Sequence, residues 1–210
     1  PKVNGTINRM AADKHHIFLS GDFTQVNNVA RNYNAAIDAL TGKITNWDPQ
    51  ADSGFTDLVR YSDDIYMGGS FGHVRGNVHK GLVRLDTLGN PKSASPGLTD
   101  GYVSCMNVYD DTMYVGGGFS KLADSSRRNF GAINLQTYKP NTWPLGSDTV
   151  TAITRTNDSI FTATMTIDSA GPKSICHRYD ITHRKDLTWA TNALFRGIIR
   201  EMFADAYQQL

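Results

Sequence analysis

YVGGGF (Tyr114–Phe119) closes a short run of alternating apolar residues, and its likeness stands 48 residues earlier as YMGGSF (Tyr66–Phe71) and 48 earlier again as FLSGDF (Phe18–Phe23). Self-similarity at a fixed interval of that size marks architectures built by stacking one supersecondary unit. The repeat extends beyond the six residues. Upstream lie GFTDLVRYSD from Gly54, GYVSCMNVYD from Gly101 and TVTAITRTND from Thr149, each ending in turn residues. Downstream, AAIDALTGKITNWDP from Ala35 and GAINLQTYKPNTWPL from Gly131 align without a gap from Ala36–Trp47 to Ala132–Trp143, at an interval of 96. The intervening copy, LVRLDTLGNPKSASPG from Leu82, holds Asp86 and Ser95 at the matching places, so Ser95 replaces the Trp. HRYDITHRKDLTW from His177 supplies Asp180 and Trp189.

Each copy divides into four strand-length runs, A to D, separated by Asp, Asn, Gly, Ser and Pro clusters. In the third copy these are Val103–Val108, Met113–Phe119, Phe130–Leu135 and a run around Thr142, with an A–B turn built on Asp110 and Asp111. The glycine pair closing run B implies close backbone approach to a neighbouring blade, which leaves no room for Cβ. Four antiparallel strands every 47 or 48 residues is the arithmetic of one blade of an all-β propeller. The expected blades are about 5–48, 54–96, 101–144 and 149–190.

The C-terminal stretch from Leu194 to Leu210 has two readings. Its apolar residues make a helical stripe. Gly197, Ile199 and Met202 also match Gly101, Val103 and Met106, which makes it run A of a fifth blade, and the register of the array favours that reading. Such a chain begins and ends on the same strand of the repeat. The expectation is therefore an arc or fragment of a larger propeller rather than a complete ring. The missing initiator Met likewise reads as a processed product or a piece of something longer.

These residues resemble the bacterial propeller repeats whose consensus runs YVGGxF, Arg-Asn, AxLD, TG and WxP, related to the delta-60 repeats of secreted bacterial proteins, and are also similar to kelch repeats. The resemblance covers nearly the whole chain. It departs at Ser20-Gly21, at FTATMT from Phe161, which lacks the glycines, and at Ser95. It implies a non-enzymatic module of an extracellular or cell-surface bacterial protein.

Composition gives no reason to add chemistry. A net charge of +1 over 210 residues lowers the expectation of nucleic acid or an anionic membrane as partner, and no apolar run approaches the roughly 18 to 20 residues of a membrane span. Cys105 and Cys176 are too few for a disulfide scaffold and read as free buried thiols. No metal, nucleotide or nucleophile-elbow motif occurs: His15-His16 is the one adjacent histidine pair, and neighbouring strand residues point to opposite faces. No cofactor is expected. The sequons at Asn4 and Asn157 read as chance.

Two polar registers do stand out. Arg31, His79, Arg127 and Lys173 recur at the start of run C, and Asp52, Asp100 and Asp148 recur in the D–A loops. The functional reading is a ring of basic groups for an acidic glycan or another anion. The structural reading, favoured because opposite charges repeat together, is an Arg-to-Asp pair linking loops. The expected function is non-catalytic recognition or scaffolding through long polar B–C loops on one face, with a protein or glycan ligand and further domains of the same polypeptide as partners. The alternatives are an enzyme with its centre at the axial opening, which carboxylates or histidines converging there would favour, and an intracellular kelch-like adaptor.

Overall fold

A computed structural model describes residues 1–98, 100–141, 148–181 and 195–202. Its secondary structure is antiparallel β throughout, with no helix among the described residues. Four sheets follow one another along the chain. The first holds β1 (Thr6–Ala12), β2 (His16–Asp22) and β5 (Asn34–Asp38), with the short hairpin β3 (Gln25–Val26) and β4 (Val29–Ala30) inserted between β2 and β5. The second repeats this as β6 (Phe55–Tyr61), β7 (Asp64–Gly69), hairpin β8 (His73–Val74) and β9 (Asn77–Val78), and β10 (Leu82–Leu85). The third has β11 (Tyr102–Tyr109), β12 (Thr112–Gly118), hairpin β13 (Lys121–Leu122) and β14 (Ser125–Ser126), β15 (Phe130–Asn134) and β16 (Pro140–Asn141). The fourth has β17 (Thr149–Arg155), β18 (Ser159–Asp168), β19 (Gly171–Asp180) and β20 (Phe195–Arg196). Here the hairpin is replaced by direct extension, β18 and β19 pairing residue for residue from Ser159–Asp180 to Asp168–Gly171.

The first strand of every sheet carries a bulge at the same place, between Ile7 and Arg9, Phe55 and Asp57, Val103 and Cys105, and Val150 and Ala152. A bulge inserts one residue and sharpens the local twist, which re-aims the side chains that follow. The inserted residues, Asn8, Thr56, Ser104 and Thr151, are all polar.

Apolar side chains from successive sheets form the core. Phe18 and Trp47 of the first sheet's repeat meet edge to face at 5.1 Å and join Phe55, Met67, Phe71 and Leu85 of the second. Tyr66 and Leu82 join Met106, Phe119 and Ile133 of the third. Cys105, Tyr114 and Phe130 join Val150, Ile153 and Ile160 of the fourth. The glycine pairs explain how closely the sheets meet. A Cβ on Gly68 would lie 2.7 Å from Val103 Cγ1, and one on Gly116 would lie 2.6 Å from Val150 Cγ1, both in the next sheet. The second glycine of the pair faces its own sheet: a Cβ on Gly117 would stand 2.1 Å from the Tyr102 carbonyl oxygen. In the first repeat Ser20 takes the Gly68 position, and its Oγ donates to the Phe55 carbonyl oxygen at 2.9 Å, a seam contact in place of a void.

One alignment changes. The antiparallel bridge that closes the C–D turn joins Ile37 to Ile44 in the first repeat but Leu85 to Pro91 in the second, a turn one residue shorter. Thr45 N donates to Ala36 O, and Lys92 N to Arg84 O, so the counterpart of Trp47 is Ala94 and not Ser95. Among the described residues the fourth strand of the fourth sheet is Phe195–Arg196, paired with Lys173 and Ser174, and the run ending at Trp189 lies outside them. Beyond it, Thr151 Oγ1 donates to Ile199 O as Thr56 Oγ1 donates to Val103 O, so Ile199 stands toward the fourth sheet as Val103 stands toward the second. Thr142, Trp143, Trp189, Leu194 and Phe203–Leu210 lie outside the described residues.

Candidate functional site

The three inserted hairpins share one backbone conformation. Their tips have two successive positive-φ residues, Asn27 and Asn28, Arg75 and Gly76, Ala123 and Asp124, as a two-residue I′ turn requires. Each hairpin ends alike: the amides of Arg31, His79 and Arg127 donate to the carbonyls of Thr24, Gly72 and Ser120. Two residues on, Tyr33, Gly81 and Asn129 all adopt φ near +64°, and their amides donate to the carbonyls of Phe23, Phe71 and Phe119. The linker ahead of each sheet bridges onto its own hairpin, Val3 to Val26, Ala51 to Val74 and Leu98 to Leu122. An alternation in the sequence cannot reveal such a frame. It consists of main-chain bonds.

The repeated charges serve this frame: Arg31 and Arg127 make no pair with Asp52 or Asp100, and an Asp ahead of a sheet meets a basic group of a B–C segment at Asp52 with His73 and at Asp48 with Arg31. Asp52 Oδ1 accepts from Gly72 N and Asp100 Oδ1 from Ser120 N, both at 2.9 Å. The chain leaving β7 or β12 turns away from its sheet there, and its amides need an acceptor that the ladder no longer supplies. Asp52 Oδ2 also meets His73 Nδ1 at 2.9 Å, and Asp100 Oδ2 accepts from Ser120 Oγ at 2.6 Å. The Ser120 hydroxyl and amide hold the Asp100 carboxyl below its ordinary range. Burial pushes Asp52 the other way, but His73 and the loop amides bring it down. Asn4, 48 residues before Asp52, caps Thr24 N and Gln25 N through Oδ1 in the first repeat. Its place in the Asp register was the signal that could have found it. Asp148 stands half-buried ahead of β17.

The guanidinium groups go instead to carbonyl oxygens. Arg31 donates through Nη1 to Ala30 O and through Nη2 to Thr45 O, and Arg127 through Nη1 to Ser126 O and through Nε to Asn141 O. The one carboxylate near Arg31 is Asp48, at 3.9 Å from Nη1. Burial pushes the His79 imidazole down. Lys173 sits within β19, 3.4 Å from Asp168, which also meets Arg196 at 3.2 Å. The four basic residues therefore form no common ring of free charge.

A second feature comes from the bulged strands. Arg9, Asp57, Ser104 and Cys105, with Arg200 and Glu201, line a cavity of about 110 Å³ where β1, β6 and β11 converge. Asp57 accepts from Met106 N at 2.6 Å and Leu58 N at 2.8 Å, yet burial raises its pKa to about 6. Burial also pushes the Cys105 thiol up, and both cysteines are free. Among the described residues no group of three or more His, Cys, Asp or Glu could hold a metal.

No family model matches the chain, and a search of curated proteins returned no match. Among solved structures it is similar to the crystal structure of the computationally designed Ika4 protein, with a TM-score of 0.53 at 13% identity over 85% of this chain and 92% of that one. The computationally designed Ika8 protein aligns with a TM-score of 0.39 at 12% identity, over 88% of this chain and 75% of that one. The likeness to Ika4 is one of all-β fold alone.

Proposed function

We propose that the four sheets are blades of a β-propeller, an arc or fragment of a larger one, and that it serves as a non-catalytic recognition module of a secreted or cell-surface bacterial protein. The compartment and source rest on the resemblance to YVGGxF/WxP repeats. One observation carries the recognition reading: the three hairpins have one frame and different tips. Asn4, Asp52 and Asp100 hold the same backbone position, as do Val26, Val74 and Leu122, while the tips read Asn27-Asn28, Arg75-Gly76 and Ala123-Asp124. Rigid support under varied exposed residues is how binding loops are built. Because Arg31 and Arg127 are spent on carbonyls, the ligand is a protein or glycan read by the tips and not an anion held by a basic ring.

The test is binding to glycan and extracellular-protein arrays by the native chain and by a variant with Asn-Gly at residues 27–28 and 123–124, Arg75 being kept for its bond to Asp48 O. That pair suits the I′ turn, so the variant keeps its Tm and loses the ligand. Unchanged binding by the variant refutes the loop-face reading. A second reading, an enzyme centred on the cavity where β1, β6 and β11 converge, is favoured by Asp57 and Glu201 lining it together, with burial raising the Asp57 pKa to about 6. Turnover of a chromogenic glycoside or ester that Asp57→Asn abolishes would replace the first reading.

A further inference from the structure

The seam between the first and second sheets is sealed by two large side chains. Trp47 is 2% exposed within it, and Arg75 reaches across to donate from Nη2 to Asp48 O at 2.9 Å. The next seam has neither. Ala94 takes the Trp47 position, two residues beyond Lys92 as Trp47 is two beyond Thr45. Ala123 takes that of Arg75, its amide donating to Gly97 O as Arg75 N donates to Gln50 O. The result is a cavity of about 380 Å³ lined by Ser93, Ala94, Ser95, Leu98, Asp124 and Tyr138. That volume is within the range of small-ligand pockets.

One residue at this cavity is held in a costly conformation: Tyr138 has φ of 57° where the first repeat has Gly42 at 66°. A bulky aromatic residue avoids that region unless its surroundings fix it, and such outliers cluster at ligand sites. Tyr138 is fixed by its ring, which lies 5.2 Å from the Arg84 guanidinium carbon.

We propose that this cavity binds one neutral hexopyranose ring of a glycan, an inference that rests on the recognition reading above and names its ligand. The Tyr138 ring and Leu98 offer an apolar surface to the C–H face of a sugar. The Asp124 carboxylate accepts hydroxyl protons, and the hydroxyls of Ser93 and Ser95 both donate and accept. No lysine or arginine is among the described residues lining the cavity, while a carboxylate is, which repels uronic and sulfated sugars.

The experiment follows amide shifts of Gly97, Leu98, Asp124 and Tyr138 while the chain is titrated separately with the methyl glycosides of glucose, galactose and mannose, and with N-acetyltryptophanamide. One sugar produces saturable shifts at these four residues. Ala94→Trp, which installs the side chain the first seam already accommodates, abolishes them with Tm unchanged or raised. Asp124→Asn, at an exposed tip, weakens binding about tenfold without altering the fold and serves if the Trp variant fails to fold. The proposal is overturned if no sugar gives saturable shifts, if binding survives Ala94→Trp in a folded chain, or if N-acetyltryptophanamide occupies the cavity in place of the sugars. Array binding that persists without monosaccharide binding removes this site and leaves the loop-face reading standing.

Discussion

Replacing Gly116 by Ala adds one methyl group at the tightest point between the third and fourth sheets. The new carbon would lie 2.6 Å from Val150 Cγ1 and 2.8 Å from Cys105 Sγ. Ordinary carbon contacts are about 3.5 to 4.0 Å, so about 1 Å must be found from neighbours that are 3% and 7% exposed. Overpacking of this kind costs about 1 to 3 kcal/mol. Gly116 lies in an extended strand without positive φ, so the alanine recovers about 0.4 to 1 kcal/mol by restricting the unfolded chain. The net loss expected from urea unfolding is about 1 to 2 kcal/mol. Val150→Ala removes the methyl that causes the clash and alone costs about 1 to 2 kcal/mol in lost burial. If the clash is the cause, the double variant is less destabilised than the sum, with a coupling of at least about 0.5 kcal/mol. Additivity within about 0.3 kcal/mol refutes the claim that Gly116 is dictated by the adjoining sheet.

Trp47→Ala should lose about 3 to 5 kcal/mol in thermal or urea unfolding, and a loss below about 1 kcal/mol would mean that the first seam does not depend on it. Asp100→Ala should speed amide exchange at Ser120 while leaving global unfolding nearly unchanged, since the carboxylate caps a surface loop; unchanged exchange contradicts the capping role. Asp57, with a folded pKa of about 6 against an ordinary 3.8, makes the folded state hold a proton that the unfolded state has lost between about pH 4 and 6. Stability therefore falls as pH rises through that window, by about 1 to 3 kcal/mol in all, and Asp57→Asn should flatten the slope; an equal slope in the variant rejects the assignment.

The sheets were legible because strand period, turn residues and glycine pairs all recur at one interval, and each leaves a mark on the local sequence. Gly68 and Gly116 could be read as close approaches before any neighbour was known, since only a missing Cβ explains glycine inside a strand. Side-chain partners were less accessible. Arg31 and Asp52 recur together, yet both bond to main-chain groups, which every residue carries and no sequence pattern distinguishes. The shift from Ser95 to Ala94 depends on one residue missing from a turn, and a bulge that brings Arg9, Asp57 and Cys105 to one cavity leaves only a single break in alternation.

The I′ hairpins separate what the fold needs from what a ligand reads. Their anchoring bonds arise from the bases of the loops, at Thr24, Gly72 and Ser120 and at Phe23, Phe71 and Phe119, and from the first tip residue, as at Arg75, while the second tip residue, Asn28, Gly76 or Asp124, is exposed and need only tolerate positive φ. Mutational drift at that second position is thus uncoupled from drift at the other two and from the core. A lineage can change specificity one socket at a time without passing through an unstable ancestor, and a library randomised at residues 28, 76 and 124 samples three independent positions on one scaffold.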